Sequence, residues 1–243
     1  EGVKKYPNLP KVAYVYMLQT QGLLHDTYVY GVDAKKIVPT LIYPTEVMDG
    51  AIISGNCVSA CDKNPTYSHL NNPIIEDLYE RHGKDYNFVG VIITNENVTL
   101  ADKERSSNWC AKLVEYLELD AVIITEEGFG NPDTDLMMNC SKIAAKGVKT
   151  VLVTDEYAGR DGASQSLADA NKAADAVVSV GNANEIIELP AMNKVIGDLK
   201  PANIIAGGFA GSLRPDGSIV AELQVITCAT SEIGFNKLSA TQY

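Results

Sequence analysis

From Phe88 onward the chain alternates short continuous apolar runs with longer amphipathic segments, and no other feature restricts its fold as much. The runs are FVGVIIT (88 to 94), AVIIT (121 to 125), TVLVT (150 to 154) and AVVSV (176 to 180). Continuous apolar runs mark strands buried on both faces, as in a parallel sheet covered by helices. The helices are expected over 102–118, 132–146 and 162–174, where Asn131-Pro132 supplies a helix start, Lys146-Gly147 an end, and Asp161-Gly162 precedes an alanine-rich stretch. The unit returns about every 30 residues, the length of a βα unit. The expected class is therefore α/β, with a mostly parallel, doubly wound sheet.

Two flanks extend this middle. KVAYVYML (11 to 18) and KIVPTLIY (36 to 43) read as strands, the second placed at an edge by Pro39. Toward the end, NIIAGGFAGSL (203 to 213), a Pro215-Asp216-Gly217 turn and SIVAELQVIT (218 to 227) read as a C-terminal β-hairpin. No low-complexity linker divides the 243 residues, so a single folded unit is expected.

Charge and cysteine usage narrow the function classes. A formal net charge of -11 opposes nucleic acid and anionic lipid, and no basic cluster offsets it. No apolar run approaches the 18 or so residues of a membrane span. Five scattered cysteines, Cys57, Cys61, Cys110, Cys140 and Cys228, with no secretory h-region, suit a reducing cytoplasm. The first residue is Glu1 rather than Met, so the natural beginning is expected upstream. Both phosphate-loop patterns, G-x-G-x-x-G after a strand and G-x4-G-K-[ST], are absent from the sequence.

Three strands end in the same word: Thr94-Asn95-Glu96, Thr125-Glu126-Glu127 and Thr154-Asp155-Glu156. In a parallel sheet these ends meet at the carboxyl edge, where open α/β folds bind ligands. Glu96 and Glu127 are accordingly candidate substrate-binding residues; the plainer account is that strand ends turn polar where they reach water. A substrate carboxylate needs a cation, and Arg105, Arg160 and Arg214 stand near loops or helix starts. Arg160, in a glycine-flanked loop after the third word, is the first choice, with a surface ion pair to Asp155 or Asp161 as the simpler account.

Residues 50 to 73, GAIISGNCVSACDKNPTYSHLNNP, concentrate nucleophilic and turn-forming side chains behind one apolar run. Cys57 and Cys61 fit buried thiols, since Cys is among the most buried residue types. A metal or redox pair is disfavoured by the C-x3-C spacing, the lack of a second pair and the presence of only His69 nearby. A third chemistry uses Ser54-Gly55-Asn56-Cys57 as a backbone-cleavage site: the thiol attacks the preceding carbonyl, and loss of the α-proton then expels a thiocarboxylate. The remaining dehydroalanine tautomerises and hydrolyses to a pyruvoyl group. His69 is a candidate base for that proton. His82, before Gly83, reads as a helix cap, while His25 lies outside the dense segment. Asp62 and Lys63 read as a solvated pair, and Cys110, Cys140 and Cys228 as packing residues. Judged on residue chemistry alone, the buried-thiol reading leads.

Five longer words reverse that order. GNCVSACDKNPTYSHLNNPIIEDLYERHGK, NFVGVIITNENVTLADKERSSNW, EEGFGNPDTDLMMNC, VTDEYAGRDGASQSLADA and GGFAGSLRPDGSI occur in order across essentially the whole chain. Together they resemble the glycine/sarcosine/betaine reductase component B proprotein, in its glycine form above all. The resemblance implies cleavage between Asn56 and Cys57, leaving residues 1–56 as the end of an upstream fragment and residues 57–243 as a downstream chain. It implies a pyruvoyl group from Cys57 that forms a Schiff base with the substrate amine, with no external cofactor and no metal. It also implies partners: a selenocysteine-containing subunit of component B, selenoprotein A, the acetyl-phosphate-forming component C and the thioredoxin system, in a hetero-oligomer. Betaine, with its quaternary nitrogen, cannot form that Schiff base. The related D-proline reductase proprotein is resembled less closely and stands as an alternative. Outside the family, a thiol or metal protein built on Cys57 and Cys61, or a non-catalytic small-ligand binding α/β domain, would also fit the residues.

Overall fold

The computed structural model describes residues 5–21, 26–55, 64–128, 130–163 and 171–227. Its strands are β1 (Lys11–Gln19), β2 (Thr27–Val29), β3 (Val32–Asp33), β4 (Thr40–Ile42), β5 (Ile52–Ser54), β6 (Asn87–Glu96), β7 (Ala121–Thr125), β8 (Lys149–Glu156), β9 (Ala176–Asn182), β10 (Ile186–Leu189) and β11 (Ile219–Glu222). The helices are α1 (Pro44–Met48), α2 (Thr66–Leu70), α3 (Pro73–Arg81), α4 (Leu100–Tyr116), α5 (Asn131–Ala144) and α6 (Gln224–Thr227). Six strands form one sheet in the order β4-β6-β1-β7-β8-β9. All its pairs are parallel except β4 with β6. β4 is the edge strand that Pro39 implied, though only its three residues pair, after a 3-10 turn at Ala34–Lys36.

The centre of the sheet is buried on both sides, as its continuous apolar runs require: every residue of β6 is buried. One face packs Val15, Met17, Ile92, Val122 and Ile124 against Cys110, Val114, Leu136 and Ile143 of α4 and α5. The other packs Tyr14, Tyr16, Val91 and Ile93 against Val47, Ile74, Ile75 and Leu78 of α1 and α3, and against Ile52 of the small sheet β3-β2-β5. Local chemistry fixes the helix starts. The Thr99 side chain caps α4 by accepting from Asp102 N, and Asn72 caps α3, whose first residue is Pro73. Gly90 is required on β6, because a Cβ there would meet Leu41 Cδ1 at 2.9 Å and the Ile42 carbonyl at 3.1 Å on the crossing edge strand.

Two expectations change in detail. The C-terminal β addition is present, but the strand that pairs antiparallel with β11 is β10; residues 203–213 meet β11 at a Leu213–Ile219 bridge and through the Ser212 and Gly207 carbonyls, which accept from Val220 N and Glu222 N at 2.8 Å each. Gly207 and Gly211 hold φ of 76° and 92°, which breaks an extended run, and residues 224–227 form a helical turn. Most of the helix expected over 162–174 lies outside the described residues.

Candidate active site at the carboxyl edge of the sheet

Parallel pairing brings three strand ends together. β1 aligns Gln19 with Glu96 and Tyr16 with Thr125, so the first two Thr-x-Glu words flank the end of the central strand. Both glutamates turn inward and are fully buried. Glu127 accepts from the backbone N–H of Gln19 at 2.6 Å through Oε2 and from that of Asn64 at 2.8 Å through Oε1. Its own N–H donates to Glu96 Oε1 at 2.8 Å. The same Oε1 of Glu127 stands 3.8 Å from His69 Nε2, and both side chains are without solvent exposure. The other imidazole nitrogen, Nδ1, lies 2.7 Å from the Tyr16 hydroxyl. Tyr16 stacks on Tyr14, with ring centroids 4.9 Å apart, and Tyr14 meets Thr125 Oγ1 at 2.7 Å. Alternation along β1 puts both phenols on one face, under α2 and α3.

Burial sets the protonation states. The Glu96 carboxyl is pushed well above the carboxylate range by loss of solvent, and next by the charge of Glu127. Tyr14 and Tyr16 are likewise raised, first by burial, so both remain phenols that can donate.

Asn56, Cys57, Cys61, Asp62 and Lys63 lie outside the described residues, as do His25 and Cys228. The flanks of their segment are described. Ser54 N donates to Thr66 Oγ1, whose hydroxyl donates back to the Ser54 carbonyl, each at 2.9 Å, so the two flanks are joined. Gly55 N donates to the Asp26 carbonyl at 3.2 Å, and a Cβ on Gly55 would collide with the Asp26 carboxylate. On the far flank, Asn64 is the residue bonded to Glu127.

A second buried polar group, not anticipated from the sequence, adjoins the first. Lys103 of α4 forms a buried ion pair with Asp135 of α5 and donates to the Asn131 carbonyl at 2.9 Å. Asp135 Oδ1 accepts from Asn97 N at 3.3 Å, and Gln21 bridges Asn97 O and Asn131 Oδ1 at 2.9 Å each. Burial lifts the Asp135 carboxyl to about 6 against the opposing pull of Lys103. The available signal was periodicity: Lys103 shares a helical stripe with the buried Ser106, Ser107, Cys110 and Val114.

The remaining candidates sit elsewhere. Arg160 Nε donates to Glu222 Oε1 at 2.6 Å, and its guanidinium lies 4.4 Å over the Phe209 ring. The ion pair is thus with Glu222 of β11, and the side chain of Asp155 lies outside what the structure describes. Arg105 pairs with Asp102, and Arg214 with Glu188. Glu156, in the third Thr-x-Glu word, is only partly buried. His82 caps α3, and its Nδ1 accepts from Phe88 N at 2.9 Å. Cys110 is fully buried, its thiol pushed up to about 12 by desolvation, and Cys140 is buried with it among packing residues. Among the described residues no helix is long and apolar enough to cross a membrane.

Comparison with known proteins places this sequence in a family. No solved structure matches the chain. It is 77% identical to the glycine reductase complex component B subunits alpha and beta of Acetoanaerobium sticklandii, over 100% of this chain and 57% of that protein. The same-named protein of Peptoclostridium acidaminophilum is 73% identical, and the sarcosine reductase complex component B subunit alpha of that organism 64%, each over 100% of this chain and 57% of the relative. The chain therefore spans just over half the length of these relatives. The family model of glycine/sarcosine/betaine reductase component B subunits matches residues 1–241. With that match and those identities, the chain belongs to the glycine/sarcosine/betaine reductase component B family.

Proposed function

We propose that this chain is the substrate-activating part of an amino-acid reductase component B, acting on glycine, and that it cuts itself between Asn56 and Cys57 to leave a pyruvoyl group on residue 57. One observation supports the reading: the two flanks of the segment that holds Asn56 and Cys57 are joined to each other by Ser54 and Thr66, and the downstream flank is tied to the carboxyl edge by Asn64 on Glu127. The surroundings fit such a group. They comprise a buried imidazole, two adjoining buried carboxyl groups, and a Glu96 Oε2 with no hydrogen-bond partner among the described residues.

In the cleavage, the Cys57 thiol adds to the Asn56 carbonyl carbon and the amide nitrogen leaves it, giving a thioester. Removal of the residue-57 α-proton expels the Asn56 thiocarboxylate, and addition of water to the resulting C=N unit releases ammonia. His69 takes the α-proton. An imidazolium there would donate to Tyr16 through Nδ1 and face the Glu127 carboxylate through Nε2, so the protonated form is provided for on both sides. Gly55, next to the proposed scissile bond, has no Cβ to collide with the Asp26 carboxylate. Once formed, the pyruvoyl ketone condenses with a primary amine and withdraws electrons from its α-carbon. Glu127 and Glu96 are the acidic groups proposed to meet that amine, and Arg160 the cation proposed to meet the substrate carboxylate. The nucleophile and electrons come from the selenocysteine subunit of component B, with selenoprotein A, component C and thioredoxin downstream, in the cytoplasm.

The sheet supports one folded unit across the cut. β1 belongs to the upstream fragment, yet it is hydrogen-bonded on both sides by β6 and β7 of the downstream chain. Intact mass spectrometry of the full-length precursor tests the proposal. Two chains are expected, the downstream one beginning at residue 57 without its nitrogen and sulfur, and they should co-purify until denatured. Cys57→Ala should stay uncut. A wild-type precursor that stays whole in its natural host would overturn the reading.

A further inference from the structure

The two faces of the main sheet are covered unequally. Beneath α4 and α5, Val122, Ile124 and Leu152 have no solvent exposure. On the opposite face α1 and α3 pack on side chains of β1 and β6, whereas Ile123 of β7, Val151 of β8 and Val178 and Val180 of β9 stay partly exposed. Parallel register sets these side chains in rows, Ile123 beside Val151 and Val153 beside Val178. With Ile74 and Leu78 of α3 as a wall, they line an open cleft of about 400 Å³. β7, β8 and β9 pair only in parallel, and parallel strands, apolar on both faces, occur with helices on both. Three strands about 4.8 Å apart make a floor roughly 10 to 14 Å wide, which matches the diameter of one helix, about 10 to 12 Å. Among the described residues no helix fills that place.

We propose that this cleft seats a helix from the part of the full-length polypeptide outside residues 1–243, packed beside α3 with its apolar stripe on β7, β8 and β9. Three observations select that occupant. The glycine reductase relatives, 77% and 73% identical, are matched over 57% of their length, so each holds more than two fifths of its chain outside the match. The sheet order ends at β9, which leaves the cleft at a margin that a further segment reaches without crossing another connection. A second copy of the chain would bring another net charge of -11 to the contact, which opposes self-association. The inference is independent of the proposed self-cleavage, because the occupant comes from the same polypeptide whether or not that polypeptide is cut.

Two measurements on the full-length protein test this. The first places a photo-cross-linker at the rim of the cleft by Arg81→p-benzoylphenylalanine, a position whose side chain is 69% exposed and pairs only with the exposed Asp85, so the fold tolerates the change. Mass spectrometry of the digest should find the cross-link on a peptide of the same polypeptide outside residues 1–243. A cross-link to a second copy, to another subunit or to a peptide within residues 1–243, or no cross-link, would overturn the inference. The second measurement needs no substitution. Hydroxyl-radical footprinting of the wild type should show near-complete loss of oxidation at Val151 and Val178, with Ile196, 92% exposed, oxidised as the internal standard. Oxidation of both valines at the rate their partial exposure here implies would show the cleft open to water and sink the proposal.

Discussion

The words Thr-x-Glu at the ends of β6 and β7 and the same word at the end of β8 came out differently. Glu96 and Glu127 flank the central strand β1 and are sealed between helix layers, where their oxygens meet backbone N–H groups and His69. Glu156 ends a strand that has only β9 beyond it, its pairing slips between Thr154 and Glu156, and it stays partly exposed. Sequence alone made the three equivalent. Position in the sheet separated them, because a buried carboxyl must find donors or stay protonated, whereas one at the margin is served by water.

If the inner edge is a closed polar network, the largest effect should come from leaving one of its charges without a partner. Asp135→Asn would strand the Lys103 ammonium in the interior, since both side chains are almost without solvent contact. Removing one member of a buried pair costs about 3 to 5 kcal/mol. Urea denaturation of the variant should show that loss, and a cost below about 1 kcal/mol would mean that water reaches the pair.

A smaller effect, of opposite sign, is expected at Glu96. Its folded carboxyl is raised above the ordinary 4.5, so folding retains a proton that the unfolded chain releases. That contribution is complete below about pH 4.5 and is lost as pH rises, at up to about 1.4 kcal/mol per pH unit until the folded group ionises. Glu96→Gln carries no such proton. It should match the wild type at pH values near 4 and exceed it increasingly toward neutrality, on the order of 1.4 kcal/mol for each unit crossed. Denaturation midpoints measured across that range decide the matter, and parallel curves would show that Glu96 is ionised in the fold. The rise of Asp135 to about 6 gives a wild-type slope of the same sign at lower pH.

The strands of the inner edge were legible because continuous apolar runs have one stable home, a sheet covered on both faces. Its polar partners were less so. His69 could be named from its place behind Cys57, but Tyr14 and Tyr16 lie within KVAYVYML, which reads only as a strand, and tertiary contact turns their hydroxyls toward Thr125 and His69. Lys103 was hidden among charged neighbours in ADKERSS, although helical phase aims it inward. The C-terminal pairing was misplaced because β10 comes before a long connection, and no local turn announces which earlier segment β11 will meet.

The outer margin should yield the smallest effect. Arg160 was favoured as a carboxylate binder, yet its guanidinium is occupied by Glu222 and Phe209, and about half of its side chain is exposed. Exposed ion pairs of this kind contribute about 0 to 1 kcal/mol. Arg160→Ala should therefore shift the denaturation midpoint only slightly and leave the proposed cleavage at Asn56-Cys57 unaffected, because nothing described links Glu222 to His69 or Glu127. Binding of glycine, the proposed substrate, to the assembled complex is the discriminating measurement. Weaker binding in Arg160→Ala with cleavage intact would mean that the guanidinium leaves Glu222 for the substrate, and the margin of β8 would then join the inner edge as part of one site. Unchanged binding would keep the two regions separate and leave recognition of the substrate carboxylate to backbone N–H groups or to a partner subunit.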